Sequence, residues 1–133
     1  MTDVPLTTVV IVDASPDFRW ILRRVLQRKG GFDIVGDADE AASGLDLVRL
    51  HQPQVVLLDV DDPRADAAEL VHEIRLSCPD ATVVATMSLG RGGLRDALLA
   101  AGAAGVVRKD ITLDHTFRQL WQVLTAGSVV GAS

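Results

Sequence analysis

The most constraining feature of the sequence is a run of four aliphatic residues, Val55 to Leu58, that leads directly into the carboxylate of Asp59. An unbroken aliphatic run bounded by turn residues is typical of a strand that is buried on both faces of a sheet. Further carboxylates and a proline, from Asp61 to Pro63, follow in what we interpret as a loop. Because α/β sheets bind ligands beyond the carboxyl ends of their central strands, Asp59 is predicted to point into a functional cleft.

The rest of the chain alternates between short apolar runs and amphipathic segments. Strands are predicted at 9–13, 32–35, 54–59, 81–87 and 105–108, and helices begin at Ser15-Pro16, Glu40, Ala65, Leu94 and after Thr112. Such alternation, with right-handed crossovers, predicts an α/β domain in which helices cover both faces of a five-stranded parallel sheet. We assign residues 1–126 to this domain and residues 127–133 to a short frayed tail.

The composition argues against several classes of function. The formal net charge of -5 disfavours a nucleic-acid-binding surface, which requires a basic patch. Cys78 is the only cysteine, so neither an internal disulfide nor a cysteine metal cluster is expected. No apolar run approaches the length that spans a bilayer, and nothing resembles a signal peptide. The sequence therefore predicts a cytoplasmic protein with no membrane partner.

The predicted strand ends bring polar side chains to one edge of the sheet. Asp13 follows the first strand, Asp59 ends the third, Thr86 lies near the end of the fourth, and Lys109 follows the fifth. These groups outline a phosphoryl-transfer site in which the Asp59 carboxylate attacks phosphorus and becomes an acyl phosphate. A lysine ammonium and a hydroxyl suit phosphate oxygens, and Mg²⁺ would offset the crowded negative charge.

These segments resemble the receiver domain of bacterial two-component response regulators. The resemblance rests on residues 9–13, residues 56–59, Thr86 and residues 101–110, and it covers nearly the whole chain. It implies a single flavodoxin-like (βα)5 doubly wound parallel sheet with strand order 2-1-3-4-5. It also implies that Asp59 accepts a phosphoryl group from a sensor-kinase histidine, that Lys109 binds this group and that Thr86 senses it. Asp13, Asp59 and the backbone carbonyl of Asp61 would then hold the metal.

Three positions depart from the pattern of this family. Ala14 stands where a second acid usually binds the metal, so Mg²⁺ is predicted to bind weakly, with the Asp61 carboxylate as a partial replacement. Met87 replaces a small residue beside the phosphoryl pocket, where its thioether is predicted to narrow access. Val106 replaces the aromatic residue that couples the Thr86 hydroxyl switch to the output of the family, so the usual coupling is predicted to be missing.

The departures predict an atypical receiver that is not itself an enzyme. Two interpretations stay open: weak phosphorylation, or a phosphorylation-independent module for protein interaction and dimerisation. The expected partner is a sensor histidine kinase or another signalling protein. A homodimer is expected through the fourth helix, fifth strand and fifth helix, where Leu99 and Val107 would add exposed apolar area. A remote alternative is a haloacid-dehalogenase-like phosphatase, whose motif matches Asp59 and Asp61 but belongs on a first strand.

Overall fold

The computed structural model describes residues 5–88, 93–109 and 112–126, and within them it shows five strands and five helices. The strands are β1 (Thr7–Val12), β2 (Phe32–Ala38), β3 (Val55–Asp59), β4 (Thr82–Met87) and β5 (Gly105–Arg108). The helices are α1 (Pro16–Lys29), α2 (Ala41–His51), α3 (Ala67–Ser77), α4 (Leu94–Ala101) and α5 (Leu113–Ala126). The predicted tail at 127–133 and the loop at 89–92 lie outside the described residues.

All strand pairs are parallel, and their order is β2-β1-β3-β4-β5. This order confirms the predicted flavodoxin-like doubly wound sheet. The aliphatic run from Val55 to Leu58 lies in β3, the central strand, which pairs with β1 on one side and β4 on the other. Burial on both faces of this strand is why the run is continuous rather than alternating.

The side chains of the central strands alternate between two cores, one on each face of the sheet. Val56 and Leu58 pack in a layer with α2, α3 and α4, which we call the α2–α4 layer. Val55 and Leu57 pack in a layer with α1 and α5, which we call the α1/α5 layer. The face on which a residue lies therefore follows from its position in the strand.

Side-chain caps mark where α1 and α5 begin. The Ser15 hydroxyl accepts a hydrogen bond from the Phe18 amide at 3.1 Å, and Pro16 occupies the first turn of α1. The Thr112 hydroxyl accepts one from the His115 amide at 3.1 Å before α5. Both caps agree with the sequence prediction. The α1 cap fixes the phase of the helix that covers the edge of the sheet near Asp13.

Two side-chain placements expected from the sequence are wrong. Val107 is only 1% exposed because it packs in the α1/α5 layer, so it adds no exposed apolar area. Met87 is buried in the α2–α4 layer, on the opposite face from Asp59, so its thioether does not narrow access to that carboxylate. Both errors arise because helices cover both faces even at the β4–β5 edge. Within the described residues, no helix has the length and apolarity needed to cross a membrane.

Candidate functional site

The alternation of the strands directs the polar strand ends to one face of the sheet. Residues two positions earlier in each strand, Ile11, Leu57, Val84 and Val107, all lie in the α1/α5 layer. Strand side chains that are two residues apart share a face, so Asp13, Asp59, Thr86 and Lys109 emerge on this same side. Asp59 and Thr86 are also direct register partners across β3 and β4.

Lys109 brings the two carboxylates together. Its ammonium Nζ lies 2.7 Å from Asp13 Oδ2 and 3.2 Å from Asp59 Oδ1. The side chains of Lys109, Asp13 and Asp59 are 15%, 2% and 8% exposed, so this ion pair is largely shielded from water. Because shielded charges interact strongly, one ammonium between two carboxylates dominates the electrostatics of the site.

Asp13 is the most deeply buried of these charges. Burial raises the pKa of its carboxyl above the ordinary value of 3.8, against the lowering effect of the hydrogen bonds from Lys109 and the Ser15 amide. The Ser15 amide donates to Oδ1 at 2.8 Å, and the Arg19 guanidinium donates to the Asp13 backbone carbonyl at 2.6 Å. Asp13 is therefore held rigidly by the first turn of α1.

Asp59 has one oxygen engaged and one available. Oδ1 accepts a hydrogen bond from the Asp61 amide at 3.0 Å and faces Lys109, whereas no residue in the described ranges donates to Oδ2. The Thr86 hydroxyl is buried and lies 3.5 Å from the Leu58 carbonyl, a long contact for a hydroxyl donor. The weakly held hydroxyl is thus next to Asp59 in the sheet without binding its carboxylate.

The Asp61 side chain is engaged with the end of β4. Its carboxylate accepts the Ser88 hydroxyl at 2.6 Å and the Ser88 amide at 3.0 Å, which ties the loop after β3 to the end of β4. The sequence had offered this carboxylate as a partial replacement ligand. The contact with Ser88 was not foreseen, because the two residues are 27 positions apart and no local pattern links them.

Three acids that were not predicted as site residues also border the site. A small cleft beside Ala14 and Asp59 is lined by Asp39 and Glu40, from the loop between β2 and α2, and by Asp62. The Arg64 guanidinium donates to both Asp62 oxygens, at 3.0 and 2.9 Å, and these bonds lower the pKa of Asp62. Only the folding of the chain brings these loops together.

The side chains offer an incomplete set of ligands for Mg²⁺. Across residues 5–88, 93–109 and 112–126, no three carboxylate, imidazole or thiol groups are grouped so that they could hold one ion. Ala14 has no donor atom, the Asp61 carboxylate is bonded to Ser88, and Lys109 already offsets the charge of Asp13 and Asp59. A hard cation that prefers several anionic oxygens therefore fits this donor set poorly.

Val106 lies on the other face of the sheet from Thr86. It is 8% exposed, belongs to the α2–α4 layer, and lines a groove between α4 and α5 together with Leu99 and Val123. An aliphatic side chain at this position fills the layer without a polar tip that could reach toward solvent.

The fold and the strand-end carboxylates define a signalling domain of the receiver class, and comparison with known proteins gives its family. The family model described as the response regulator receiver domain matches residues 9–120. The chain belongs to this family, as a receiver domain of two-component signalling.

Individual relatives agree with this assignment. The chain is 30% identical over 125 residues to the probable transcriptional regulatory protein NarL of Mycobacterium tuberculosis, covering 94% of the chain and 58% of NarL. The solved signal receiver domain of that NarL superposes with a TM-score of 0.79 at 29% identity, covering 92% of the chain and 98% of the domain. A protein-glutamate methylesterase of Burkholderia thailandensis is 33% identical over 106 residues, covering 77% of the chain and 29% of the enzyme. The chain thus spans at most 58% of the length of these curated relatives.

The raised pKa of Asp13 predicts how stability changes with pH. The unfolded chain releases the Asp13 proton near the ordinary pKa of 3.8, whereas the folded chain keeps it to a higher pH. The stability that this proton confers on the folded state is therefore present below pH 3.8 and is lost as pH rises through the folded pKa. The Asp13→Asn variant has no titratable group at this position. We expect the free energy of unfolding of Asp13→Asn to rise relative to wild type as pH is raised from about 3 to about 7. Urea unfolding of both proteins without divalent cations measures the difference. A constant difference, or one that moves in favour of wild type, would contradict it.

Proposed function

We propose that this receiver domain accepts a phosphoryl group on Asp59 and does so inefficiently. The single observation that carries the proposal is that Asp59 Oδ2 accepts no hydrogen bond from the residues that the structure describes, while Lys109 Nζ lies 3.2 Å from the other oxygen. In the proposed step, Oδ2 attacks the phosphorus of a phosphohistidine on a sensor kinase. The P–N bond breaks, the histidine nitrogen keeps the electron pair and takes up a proton, and an acyl phosphate forms on Asp59.

The neighbouring residues have matching roles in this proposal. The Lys109 ammonium moves from Asp13 toward the new phosphoryl oxygens, to which a compact positive charge binds well. Thr86, held only by a 3.5 Å contact, turns its hydroxyl to donate to the same group. With Val106 in place of an aromatic residue, this movement has no ring to reposition, which supports an atypical coupling to output.

A second candidate function has its own support. The Lys109 ammonium contacts both Asp13 and Asp59, so part of their charge is compensated without a cation or a phosphoryl group. Such a domain suits a phosphorylation-independent interaction module. The phosphatase alternative gains no support. The motif of those phosphatases belongs on the first strand of the chain, whereas Asp59 ends the third.

Asp59→Asn should abolish labelling by a small phosphodonor. We expect acetyl phosphate or phosphoramidate to add one phosphate to wild type, because Asp59 is the one carboxylate among the described residues that contacts Lys109 and keeps an oxygen without a hydrogen-bond donor. Intact-protein mass spectrometry gives the count, and Asp62→Asn is the matched control, since its carboxylate is bound by Arg64. Equal labelling of Asp59→Asn would refute the assignment. No labelling of wild type would favour the interaction module.

We also propose that magnesium binds weakly and that Ala14→Asp strengthens the binding. A third carboxylate adds repulsion to the empty site and one ligand to the filled one. Wild type is expected to bind in the millimolar range or weaker, about -4 kcal/mol or less in magnitude. Thermal melts across a magnesium titration should show Ala14→Asp slightly less stable without the metal and more strongly stabilised by it.

The control for magnesium binding is Asp61→Asn. Because the Asp61 carboxylate is bonded to Ser88, this change should leave the response of wild type to magnesium unchanged. If wild type gains as much stability from magnesium as Ala14→Asp, another group has replaced the missing ligand and the site is not degenerate.

The third proposal is self-association through the face formed by α4, β5 and α5. The groove on this face combines the apolar surfaces of Leu99, Val106 and Val123 with polar groups at its rim. Leu99→Asp places a charge in this surface and should shift light scattering from dimer to monomer. Leu76→Asp, on the exposed surface of α3, is the control and should leave the mass unchanged. A monomeric wild type at high concentration would overturn the proposal.

A further inference from the structure

A ring from α1 covers the side of the Lys109 ammonium that the carboxylates leave open. The centroid of the Phe18 ring lies 4.6 Å from Lys109 Nζ, close enough for a cation–π contact. Asp13 and Asp59 lie 2.7 and 3.2 Å from the same nitrogen. The ammonium is thus bounded by two anions and one aromatic face, and only 15% of the lysine side chain is exposed.

The position of Phe18 follows from the sequence at the start of α1. Ser15 caps α1 through the Phe18 amide, and Pro16 starts the first turn, so the orientation of residue 18 is fixed by the cap. Phe18 packs half-buried against the α1/α5 layer, the same side of the sheet on which Lys109 emerges.

We propose that Phe18 is a positioning residue that holds the Lys109 ammonium against Asp59. A lysine has a flexible four-carbon stem, and fixing it costs conformational entropy. An aromatic face attracts the cation and excludes water from the same side, so it restricts the ammonium to the carboxylates. This inference rests on the proposed phosphoryl transfer for its consequence, but the placement of the lysine can be measured without any phosphoryl group.

The chain provides its own control for that measurement. Its two lysines are Lys29 and Lys109, and Lys29 Nζ lies 5.3 Å from the Trp121 ring centroid. A proton above an aromatic face is shielded, so the ε-methylene signals of both lysines should be shifted upfield in a spectrum of lysine-labelled protein. Lys29→Arg removes one signal and assigns the other.

Substitutions at Phe18 then separate the ring from its bulk. Phe18→Leu should return only the Lys109 signal toward its random-coil position, whereas Phe18→Tyr should keep it upfield. Initial rates of Asp59 labelling by acetyl phosphate should fall about three- to tenfold in Phe18→Leu and stay within about twofold of wild type in Phe18→Tyr. If Phe18→Leu does not fold, Phe18→Met supplies more of the original volume without a ring.

The two measurements fail separately. A Lys109 signal that is unaffected by Phe18→Leu would overturn the placement, and labelling of the leucine variant at the wild-type rate would overturn its functional role. Absence of labelling in wild type would refute the proposed phosphoryl transfer instead, and the lysine signals would still decide whether Phe18 positions Lys109.

Discussion

The ion pair of Lys109 with Asp13 and Asp59 is the interaction on which the polar edge of this domain depends. Two carboxylates at neighbouring strand ends repel each other, and burial raises the pKa of Asp13. One ammonium, 2.7 Å from one carboxylate and 3.2 Å from the other, offsets part of this cost. The parallel sheet makes the contact possible, because β1, β3 and β5 end at the same edge and their pleats direct these side chains to one face.

This arrangement explains why the domain keeps a receiver fold with an altered edge. With Ala14 in place of an acid, the edge holds the two carboxylates of Asp13 and Asp59, which share the Lys109 ammonium and accept hydrogen bonds from the Ser15 and Asp61 amides. Two acids of the loop after β3 are engaged elsewhere: Asp61 is bonded to Ser88 and Asp62 to Arg64. In the proposed phosphoryl transfer, the Lys109 ammonium would have to exchange one of its two carboxylate contacts for a phosphoryl oxygen.

Much of this architecture could be predicted because its physical causes are local. Apolar runs predicted the position of every strand, although β2 continues to Ala38, past its predicted end at residue 35. The polar residues Ser15 and Thr112 predicted where α1 and α5 begin. The same alternation also predicted that Asp59 and Lys109 would meet. Contacts made by loops could not be predicted this way: the hydrogen bonds of Asp61 with Ser88 join residues far apart in the sequence. Val107 was misplaced because its exposure depends on whether a helix covers the edge strand, which no local pattern determines.

The most direct test of the ion pair is a set of double-mutant cycles in urea unfolding, without divalent cations. They combine Lys109→Met with Asp13→Asn and, separately, with Asp59→Asn. Methionine keeps the apolar stem but leaves two buried carboxylates unpaired, so Lys109→Met alone should destabilise the fold by about 3 kcal/mol. Each aspartate change should relieve part of this loss, with coupling energies of about 1 to 3 kcal/mol. Effects that add within about 0.5 kcal/mol would contradict a structure organised around Lys109.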